Sequence, residues 1–517
     1  MRTYPGKLLL TTCCLVLLAC LIWVQSGYSH WQNNTFQVKE THAKRKVVIL
    51  LVDSLLANSV DTLINKNEVP ALSYLMKRGV YQREMISSFP TMSVTIDSSL
   101  LTGAYADVHH IPGLVWFHPL ERRMVNYGDG ARVIWKPGVV QWFKDSFYNL
   151  NQVHLSKQTS TLHEDLRVNG YTSGSINGLI FRGPGEHFFG TKGTYAVKVH
   201  GSDVFALGSV ARVTDNPLPT SPFQSLGVNN EYTAKSLVAL LKENRLPDVT
   251  LAYFPDLDSD LHKAGPASQS GIKELDGQLQ QILGSFGSWD RALDSHVFIV
   301  MGDSGVTATG SSKNDLIDLE KTFSGYRLYR TGKKQASVDD MAIAINGRMC
   351  YVYALSDRVS IPSLVDRLKT DSRIDLIAWQ DHEWIKVRKD NRDLSYRSGH
   401  EKRDVFDQSW DIRGDLSVLD LQTRPDDKRL FSTNYPDGLK RLQTAFSSHK
   451  GRYLIVTTKP GYEFTGDGAP NHLHGGNHGS LDASDSTLPF IITTNGSVPP
   501  PPRRIIDVKE YILSLIR

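Results

Sequence analysis

The stretch Val47-Val48-Ile49-Leu50-Leu51-Val52-Asp53 decides the fold, because it is an unbroken run of apolar, mostly β-branched residues that ends in a carboxylate. Such a run is typical of a strand that is buried on both faces of a parallel sheet. Two further runs, Val249–Phe254 and Val297–Gly302, have the same character and are also followed by aspartates. Ligands bind at the carboxyl ends of the strands in an open α/β sheet, so the three runs predict a site built from strand-end carboxylates.

Composition and charge are those of an ordinary globular protein. The chain has 517 residues, of which 40% are hydrophobic and 22% charged, and its formal net charge is +4. This charge is small for the length, and no basic run carries interleaved aromatic residues, so we expect no nucleic-acid-binding surface. The oligomeric state does not follow from the sequence.

The N-terminal segment differs from the rest of the chain. Arg2 and Lys7 precede a run from residue 8 to 24 that has no charged residue, and Ser26 follows it. This layout is typical of a signal peptide or an N-terminal membrane anchor over residues 1–26, with a polar tether over 27–45. We therefore expect an extracytoplasmic protein. It would be secreted, or anchored to the cytoplasmic membrane through an uncleaved segment with its main domain outside.

From Lys46 onward, predicted strands alternate with predicted helices. This alternation indicates an α/β fold with a mostly parallel central sheet and helices on both faces. The pattern changes after Gly310, where the predicted strands and helix no longer alternate one by one. Residues 388–450 are heavily charged.

These features predict three parts in the main domain. Residues 46–319 form the first part of the α/β domain, residues 320–450 an inserted α+β subdomain, and residues 451–517 the last part of the α/β domain. The core pattern is expected to resume at the apolar stretches Tyr453-Leu454-Ile455-Val456 and Leu488-Pro489-Phe490-Ile491-Ile492.

Two groups of residues have the character of metal ligands. Asp258-x-x-x-His262 places a carboxylate and an imidazole on one face of a helical turn, where both can bind one ion. Asp256 and Asp260 are alternatives to Asp258. The second group, His472-x-His474-Gly-Gly-Asn-His478, crowds histidines among glycines, which let the backbone approach a ligand closely. A surface loop with incidental histidines is the alternative for this second group.

A hydroxyl-rich stretch, Pro90-Thr91-Met92-Ser93, lies where a loop is predicted to open a helix. Amides at a helix start bind phosphate or sulfate, and a hydroxyl beside a metal can act as a nucleophile with a lowered pKa. Hydroxyls at helix starts are more often simple N-caps, so these residues alone leave both interpretations open.

The order and spacing of these elements resemble the alkaline phosphatase superfamily, in particular its type I phosphodiesterase/nucleotide pyrophosphatase branch. The elements that carry the resemblance are, in chain order, Asp53, the turn at Pro90–Ser93, Leu101-Thr102-Gly103, Asp258-x-x-x-His262, Gly302-Asp303 and His478-Gly479. The resemblance covers most of the chain outside the N-terminal segment and the insertion. It implies an alkaline-phosphatase-like fold and a metal-dependent hydrolase of phosphate esters, diesters or monoesters, that acts through a phosphoseryl intermediate.

The resemblance also implies two divalent metal ions, with zinc as the expected metal. The residues that match the ligands of one ion are Asp258, His262 and His478. The residues that match the ligands of the other are Asp53, Asp303 and the nucleophile hydroxyl. The nucleophile falls on Ser93, with Thr91 as the alternative. Candidate substrate-binding residues are Thr91, Asp97 and Ser304.

Two positions depart from the family pattern. Ser304 stands where relatives carry a histidine, and a hydroxyl is a poorer zinc ligand than an imidazole. Ile96 stands where relatives of the nucleotide pyrophosphatase kind carry an asparagine, and isoleucine cannot donate a hydrogen bond to a phosphoryl oxygen. These departures favour one alternative, a catalytically impaired surface protein that binds metal. A transferase that moves a phospho-group onto an envelope glycan also stays open.

Overall fold

The chain is described by a computed structural model over residues 43, 45–128, 138–189, 197–208, 211, 227–466 and 468–517. The predicted signal peptide or anchor at 1–26 and nearly all of the tether at 27–45 lie outside these residues. Within the described residues, no helix combines the length and the apolar character that crossing a membrane requires.

The centre of the molecule is a seven-stranded sheet, the central sheet. Its strands, in spatial order, are Gly79–Ile86, Thr487–Thr493, His296–Gly302, Lys46–Val52, Val249–Phe254, Ser173–Ile176 and Val204–Ala206. All of the pairings are parallel except those made by Thr487–Thr493, which runs antiparallel to both of its neighbours. The mostly parallel sheet expected from the sequence is therefore confirmed.

The strand Lys46–Val52 shows why its sequence is apolar throughout. Side chains alternate along a strand, so successive residues face opposite sides of the sheet. Val48, Leu50 and Val52 pack on one side, among the helices Pro70–Arg78, Asn230–Lys242 and Ser270–Gly284. Val47, Ile49 and Leu51 pack on the other side, among the helices Ser93–Thr102, Leu162–Val168 and Val508–Ile516. Helices thus cover both faces, as the alternating pattern predicts.

A second sheet of seven strands, antiparallel throughout, packs beside the central one. Its strands, in spatial order, are Met341–Asn346, Met349–Ala354, Tyr453–Thr458, Ile374–Asp381, Trp384–Lys389, Arg392–Arg403 and Ser409–Gly414. Two helices, Ile361–Leu368 and Gly438–Phe446, pack against it through its two core clusters. These elements are the α+β subdomain that the sequence predicts as an insertion.

One placement within this region is wrong in the sequence analysis. The stretch at Tyr453 was expected to return to the core of the α/β domain. It instead pairs antiparallel with both Met349–Ala354 and Ile374–Asp381, near the middle of the second sheet. The second expected return, at Leu488–Ile492, is confirmed, because the chain re-enters the central sheet at Thr487–Thr493. A short buried apolar run specifies a strand but does not specify the sheet to which it belongs.

Smaller elements complete the fold. The remaining paired strands are Val115–His118 with Arg123–Asn126, Gly185–Phe189 with Val197–Gly201, Thr307–Ala308 with Gly476–Asn477, Leu316–Asp318 with Glu463–Thr465, and Leu421–Thr423 with Leu430–Ser432. The remaining helices are Ala57–Asn65, Ala106–His109, Val139–Phe143, the π-helix Lys144–His154, Asp256–Ala264, Trp289–Ser295, Leu319–Thr322 and Ala483–Ser486, with 3-10 turns at Lys313–Asp315, Leu416–Leu419 and Ile505–Asp507.

Candidate active site

The three central strands of the central sheet end side by side and place their aspartates together. Lys46–Val52 lies between Val249–Phe254 and His296–Gly302, and in this register Val52 is level with both Phe254 and Gly302. Asp53 and Asp303 therefore lie side by side, each directly after the carboxyl end of its strand. The third aspartate, Asp258, lies in the helix Asp256–Ala264 that begins two residues after its strand.

A first cluster joins Asp258 to two imidazoles. Nε2 of His262 lies 3.3 Å from one Asp258 oxygen, and Nε2 of His478 lies 3.4 Å from the other. The ligand atoms of the three side chains lie within 4.8 Å of one another. Asp258 and His262 share a helical turn, whereas His478 comes from a loop more than 200 residues later in the chain. This geometry can hold one metal ion.

Backbone carbonyls fix the orientation of both imidazoles. Nδ1 of His262 bonds the carbonyl of Gly476 at 2.7 Å, and Nδ1 of His478 bonds the carbonyl of Thr91. A carbonyl can only accept, so each Nδ1 carries the proton and each Nε2 points its lone pair into the cluster once the ring is neutral. Metal-binding histidines are commonly held in this way.

Electrostatics in the first cluster couple the Asp258 carboxylate to the two imidazoles. Burial opposes charge on Asp258, but the two imidazoles outweigh it and hold the pKa of Asp258 well below its usual range. Burial also lowers the pKa of His478, but the Asp258 carboxylate outweighs this effect and raises the pKa to about 9. The protons that these imidazoles hold are the ones that a divalent ion would displace.

A second cluster is formed by Asp53, Ser93 and Asp303. Oγ of Ser93 lies 3.4 Å from each carboxylate oxygen of Asp53, and the hydroxyl of Tyr253 donates to one of those oxygens. Oδ1 of Asp303 accepts the amide of Ser54 at 2.8 Å. Oδ2 of Asp303 is buried and has no hydrogen-bond partner among the described residues. A buried carboxylate oxygen without a partner is the kind of atom that a cation would satisfy.

The carboxylates of the second cluster repel one another. Burial, and then the charges of Asp303 and Asp258, raise the pKa of Asp53 well above its usual range. Burial likewise raises the pKa of Asp303. A proton or a cation is needed here to offset the shared negative charge.

Ser304 and Ser54 lie between the two clusters. Ser304 is fully buried, and its Oγ lies 3.4 Å from Oγ of Ser54. Ser54 in turn donates to Asp258 at 2.8 Å. Ser54 has a φ of 60°, in the left-handed region that is unusual for a residue with a side chain. Sequence reasoning missed Ser54, and its only signal is its place directly after Asp53.

Ser93 begins the helix Ser93–Thr102, and the preceding N-cap position holds Met92, which makes no side-chain cap. The amides of Met92 and Thr95 bond to the carbonyls of Pro90 and Met92, so the amides of Ser93 and Val94 are the ones at this helix start that can bind an anion. Thr91, the alternative nucleophile, is fully buried, and its hydroxyl accepts the amide of Gly479 at 2.8 Å. The structure thus brings Ser93, rather than Thr91, to Asp53.

Asp97 lies one turn after Ser93 and is almost fully buried. Neither of its carboxylate oxygens has a partner among the described residues. Burial, and then the charge of Asp303, raise the pKa of Asp97 well above its usual range. Ile96 beside it is also fully buried.

The three histidines of the histidine-rich loop have different places relative to the site. His478 joins the first cluster, while the ring of His472 stacks on that of His262 with centroids 4.1 Å apart. His472 is held in turn by Glu463, whose carboxylate lies 3.2 Å from Nδ1. His472 therefore supports a cluster residue, and His474 is not among the residues that form the cluster.

A buried arginine from the second sheet holds the loop that carries His478. Arg348 is fully buried, and its guanidinium lies 2.7 Å from Asp485 and 2.9 Å from Asp482. Its backbone amide donates to the carbonyl of His478 at 2.8 Å. Sequence reasoning missed Arg348, because these contacts join residues more than a hundred positions apart.

Two glycines allow this close approach. Gly479 has a φ of +119°, and a Cβ there would lie 2.2 Å from the carbonyl oxygen of Asn346. Gly347 has a φ of +62°, and a Cβ there would lie 2.2 Å from the carbonyl oxygen of His478. Glycine is the residue that tolerates such backbone angles and contacts.

The fold and this strand-end site define an α/β protein of the alkaline phosphatase superfamily. Residues 47–481 match the model of the type I phosphodiesterase/nucleotide pyrophosphatase family. The chain therefore belongs to that family, whose members hydrolyse phosphate esters, and the resemblance found in the sequence is confirmed. No curated protein matches the chain in sequence.

Solved structures of ectonucleotide pyrophosphatase/phosphodiesterase 5 share the fold. The human protein superposes with a TM-score of 0.56, and an inactive form of the murine protein in complex with AMP with a TM-score of 0.54. Each is 13% identical, and each match covers 91% of this chain and 95% of the other. At this identity the likeness concerns the fold alone.

Proposed function

We propose that this protein is a metal-dependent phosphodiesterase that acts through a phosphoseryl intermediate on Ser93. The observation that carries the proposal is the position of the Ser93 hydroxyl. It lies at the start of a buried helix, 3.4 Å from both oxygens of Asp53, at the sheet edge where the Asp258 cluster also lies. Family membership supports the reaction class, and this geometry supports Ser93 as the nucleophile.

The residues fit two divalent ions. One would be held by Asp258, His262 and His478, whose nitrogens and oxygens form the mixed donor set that zinc prefers. The other would be held by Asp53, Ser93 and Asp303, where an orphaned carboxylate oxygen is available. When bound, the ions would lower the pKa of the serine hydroxyl and offset charge on the phosphoryl group.

The chain itself supplies the nucleophile and its surroundings. Oγ of Ser93 forms a bond to phosphorus while the ester oxygen on the opposite side leaves and takes a proton from water. The Ser93 proton passes to solvent. The amides of Ser93 and Val94 at the helix start would bind the phosphoryl oxygens. Water then cleaves the phosphoseryl ester, which restores the serine and releases the phosphorylated product.

We propose that the substrate is a phosphodiester, and we do not propose a preference for nucleotides. Ile96 occupies the position where a side-chain amide was expected, and its buried apolar side chain offers no donor to a phosphoryl oxygen. Hydrolysis of bis(p-nitrophenyl) phosphate should exceed that of p-nitrophenyl phosphate, and a chelator should abolish both activities. Zinc added after the chelator should restore them.

Replacing the nucleophile tests the proposal. Ser93→Ala should reduce kcat by about 10³-fold or more, because loss of a covalent nucleophile leaves only binding and electrostatic contributions. The matched control is Ser98→Ala on the same helix, whose hydroxyl donates to the carbonyl of Val94 in its own helix. That variant should keep its activity. Full turnover by Ser93→Ala would contradict the assignment.

A second candidate is a protein that keeps one metal and has impaired catalysis. The observation that favours it is Ser304, which places a hydroxyl between the two clusters where an imidazole was expected. Metal content discriminates between the two. A two-metal enzyme should lose one equivalent of zinc per chain in Asp303→Ala and another in Asp258→Ala. Loss in Asp258→Ala alone would support the one-metal protein.

Transfer to an envelope glycan and the cellular location are tested separately. A transferase would form a phosphorylated product only when an acceptor glycan is added, whereas a hydrolase needs water alone. We place the protein outside the cytoplasm because Arg2, Lys7 and the uncharged run from residue 8 to 24 have the layout of an export signal. Cell fractionation and N-terminal sequencing of the purified protein would test this placement.

A further inference from the structure

Three side chains outside the candidate active site converge at the turn of the hairpin Val115–Asn126. Oε1 of Glu121 lies 3.8 Å from Nε2 of His118 and 3.8 Å from Nε2 of His154. The ligand atoms of all three lie within 4.8 Å of one another. We propose that His118, Glu121 and His154 bind a further divalent metal ion of the zinc type.

The two 3.8 Å distances do not describe hydrogen bonds. A nitrogen–oxygen hydrogen bond in proteins is about 2.7 to 3.2 Å long, so the three atoms surround a space instead of bonding directly. Zinc binds nitrogen and oxygen ligands at about 2.0 to 2.2 Å, which places tetrahedral ligands about 3.3 to 3.6 Å apart. Side-chain movements of less than 1 Å would therefore bring this set to a zinc geometry.

His154 gives an independent indication of a ligand. Its side chain is only 2% exposed, and its Nε2 has no hydrogen-bond partner among the described residues. Its Nδ1 lies 2.7 Å from the hydroxyl of Tyr127, which holds the ring in place. A buried nitrogen without a partner is costly, and a metal ion at this point would satisfy it.

Neighbouring charges orient the carboxylate. Arg123 donates to Oε2 of Glu121 at 2.6 Å and is itself held by Asp145 at 2.6 and 2.9 Å. This contact leaves Oε1 free to face the two imidazoles. Support of a ligand by outer hydrogen bonds is typical of metal sites.

His118 must change tautomer to bind the ion. Its Nδ1 accepts the amide of Glu121 at 3.2 Å, so a neutral ring carries its proton on Nε2. Coordination through Nε2 moves the proton to Nδ1 and ends that bond. Residue 121 is only partly buried, so its amide can bond to water instead.

The ion would join two elements that meet here. His118 and Glu121 lie at the turn of the hairpin, while His154 ends the helix Lys144–His154. Three protein ligands leave one tetrahedral position for water or another ligand. The site shares no residue with the Asp258 cluster, so it can be tested separately from the proposed catalytic function.

Zinc content of the full chain tests the site. Wild-type protein and variants are dialysed against zinc and then buffer, and the zinc per chain is measured by mass spectrometry. Glu121→Gln and His118→Ala should each contain one equivalent less than the wild type. The matched control is His382→Ala, which removes a histidine whose side chain is 93% exposed and lies beside Asp381. It should lose none.

Further variants separate this site from the candidate active site. Asp258→Ala should lose the zinc equivalent bound at the Asp258 cluster. The double variant with Asp258→Ala and Glu121→Gln should lose two zinc equivalents. If Asp258→Ala loses no zinc, the proposed catalytic metal fails while the site at Glu121 is still judged by its own variants. Because the His154 ring is buried, His154→Ala is used only to confirm the result of the other two variants. Equal zinc content in the wild type, Glu121→Gln and His118→Ala overturns the proposal.

Discussion

Replacing Arg348 with methionine should destabilise the protein strongly and loosen the loop that carries His478. Arg348 is fully buried and makes its ion pairs with Asp485 at 2.7 Å and with Asp482 at 2.9 Å. It also donates to the hydroxyl of Thr307 at 2.8 Å and the carbonyl of Thr458 at 3.1 Å. Methionine fills much of the same space, so the main loss is of charge and hydrogen bonds.

The size of the stability loss in Arg348→Met follows from the charged groups that remain without their partner. Removing one partner of a buried ion pair leaves the other charge uncompensated and costs about 3 to 5 kcal/mol. Asp485 is the more buried of the two carboxylates left behind, and among the described residues its side chain would keep the hydroxyl of Thr307 and the amide of Ser480 as donors. The double variant Arg348→Met with Asp485→Asn removes that charge and should recover part of the loss.

The cost should also depend on pH. Burial already raises the pKa of Asp485 to about 6, although Arg348 opposes the shift. Without Arg348 the pKa rises further, so the orphaned carboxyl is neutral at pH 5 and ionised only at higher pH. The unfolding free energy lost by Arg348→Met should therefore be smaller at pH 5 than at pH 8.

Urea denaturation followed by tryptophan fluorescence measures the stability, and zinc titration measures the effect on the loop. We expect zinc affinity at the Asp258 cluster to fall by about 10- to 100-fold, as when outer partners of a metal site are removed. The matched control is Arg78→Met, which breaks an exposed pair with Asp290 and should change neither quantity. A stability loss no larger than in this control, with unchanged zinc affinity, would refute the reasoning.

Two further predictions concern single buried positions. Gly479→Ala should lower the melting temperature by several degrees and reduce activity, because the added Cβ would lie 2.2 Å from the Asn346 carbonyl oxygen at a φ of +119°; Gly277→Ala, where a Cβ meets open space, is the control. His163 is buried with both ring nitrogens unpartnered among the described residues, and burial lowers its pKa from 6.5 to about 4. The unfolded chain therefore gains a proton below about pH 6.5 that the folded chain refuses until about pH 4, which costs about 2 kcal/mol at pH 5. His163→Leu should remove this acid sensitivity, and an equal stability loss between pH 7 and 5 in both proteins would contradict the explanation.

The central sheet could be predicted because its sequence signal is local. Lys46–Val52 is buried on both faces, so it appears as an unbroken apolar run, and strands of this kind end at one edge of the sheet. Asp258 and His262 were predictable for a similar reason, since four residues separate neighbours on a helix. Both signals lie within a few residues of sequence.

The place of Tyr453–Thr458 in the second sheet could not be predicted in this way. The same holds for the contacts by which Arg348 holds the loop that carries His478. Tyr453–Thr458 has the same apolar character as a core strand, and only its pairing with Met349–Ala354 and Ile374–Asp381 assigns it to the second sheet. Arg348 looks like any surface arginine in the sequence. Its role depends on carboxylates 134 and 137 residues away, at Asp482 and Asp485, that only the tertiary fold brings into contact.

The structure also changes how the two candidate metal clusters compare. From the sequence, the cluster with Ser93 is the weaker one, because Ser304 replaces an expected histidine. In the structure, the Asp258 cluster already contains its own compensating groups, since His262 and His478 can both carry protons beside the carboxylate.

The Ser93 cluster contains no such imidazole. Asp53, Asp97 and Asp303 are all buried there, and oxygens of Asp97 and Asp303 lack partners among the described residues. Loss of the histidine therefore removes a ligand but leaves the excess of negative charge in place. A site with buried carboxylates and few compensating donors binds a cation through charge and oxygen ligands. Although Ser304 removes an imidazole ligand, the buried carboxylates beside Ser93 therefore still favour the binding of a divalent cation there.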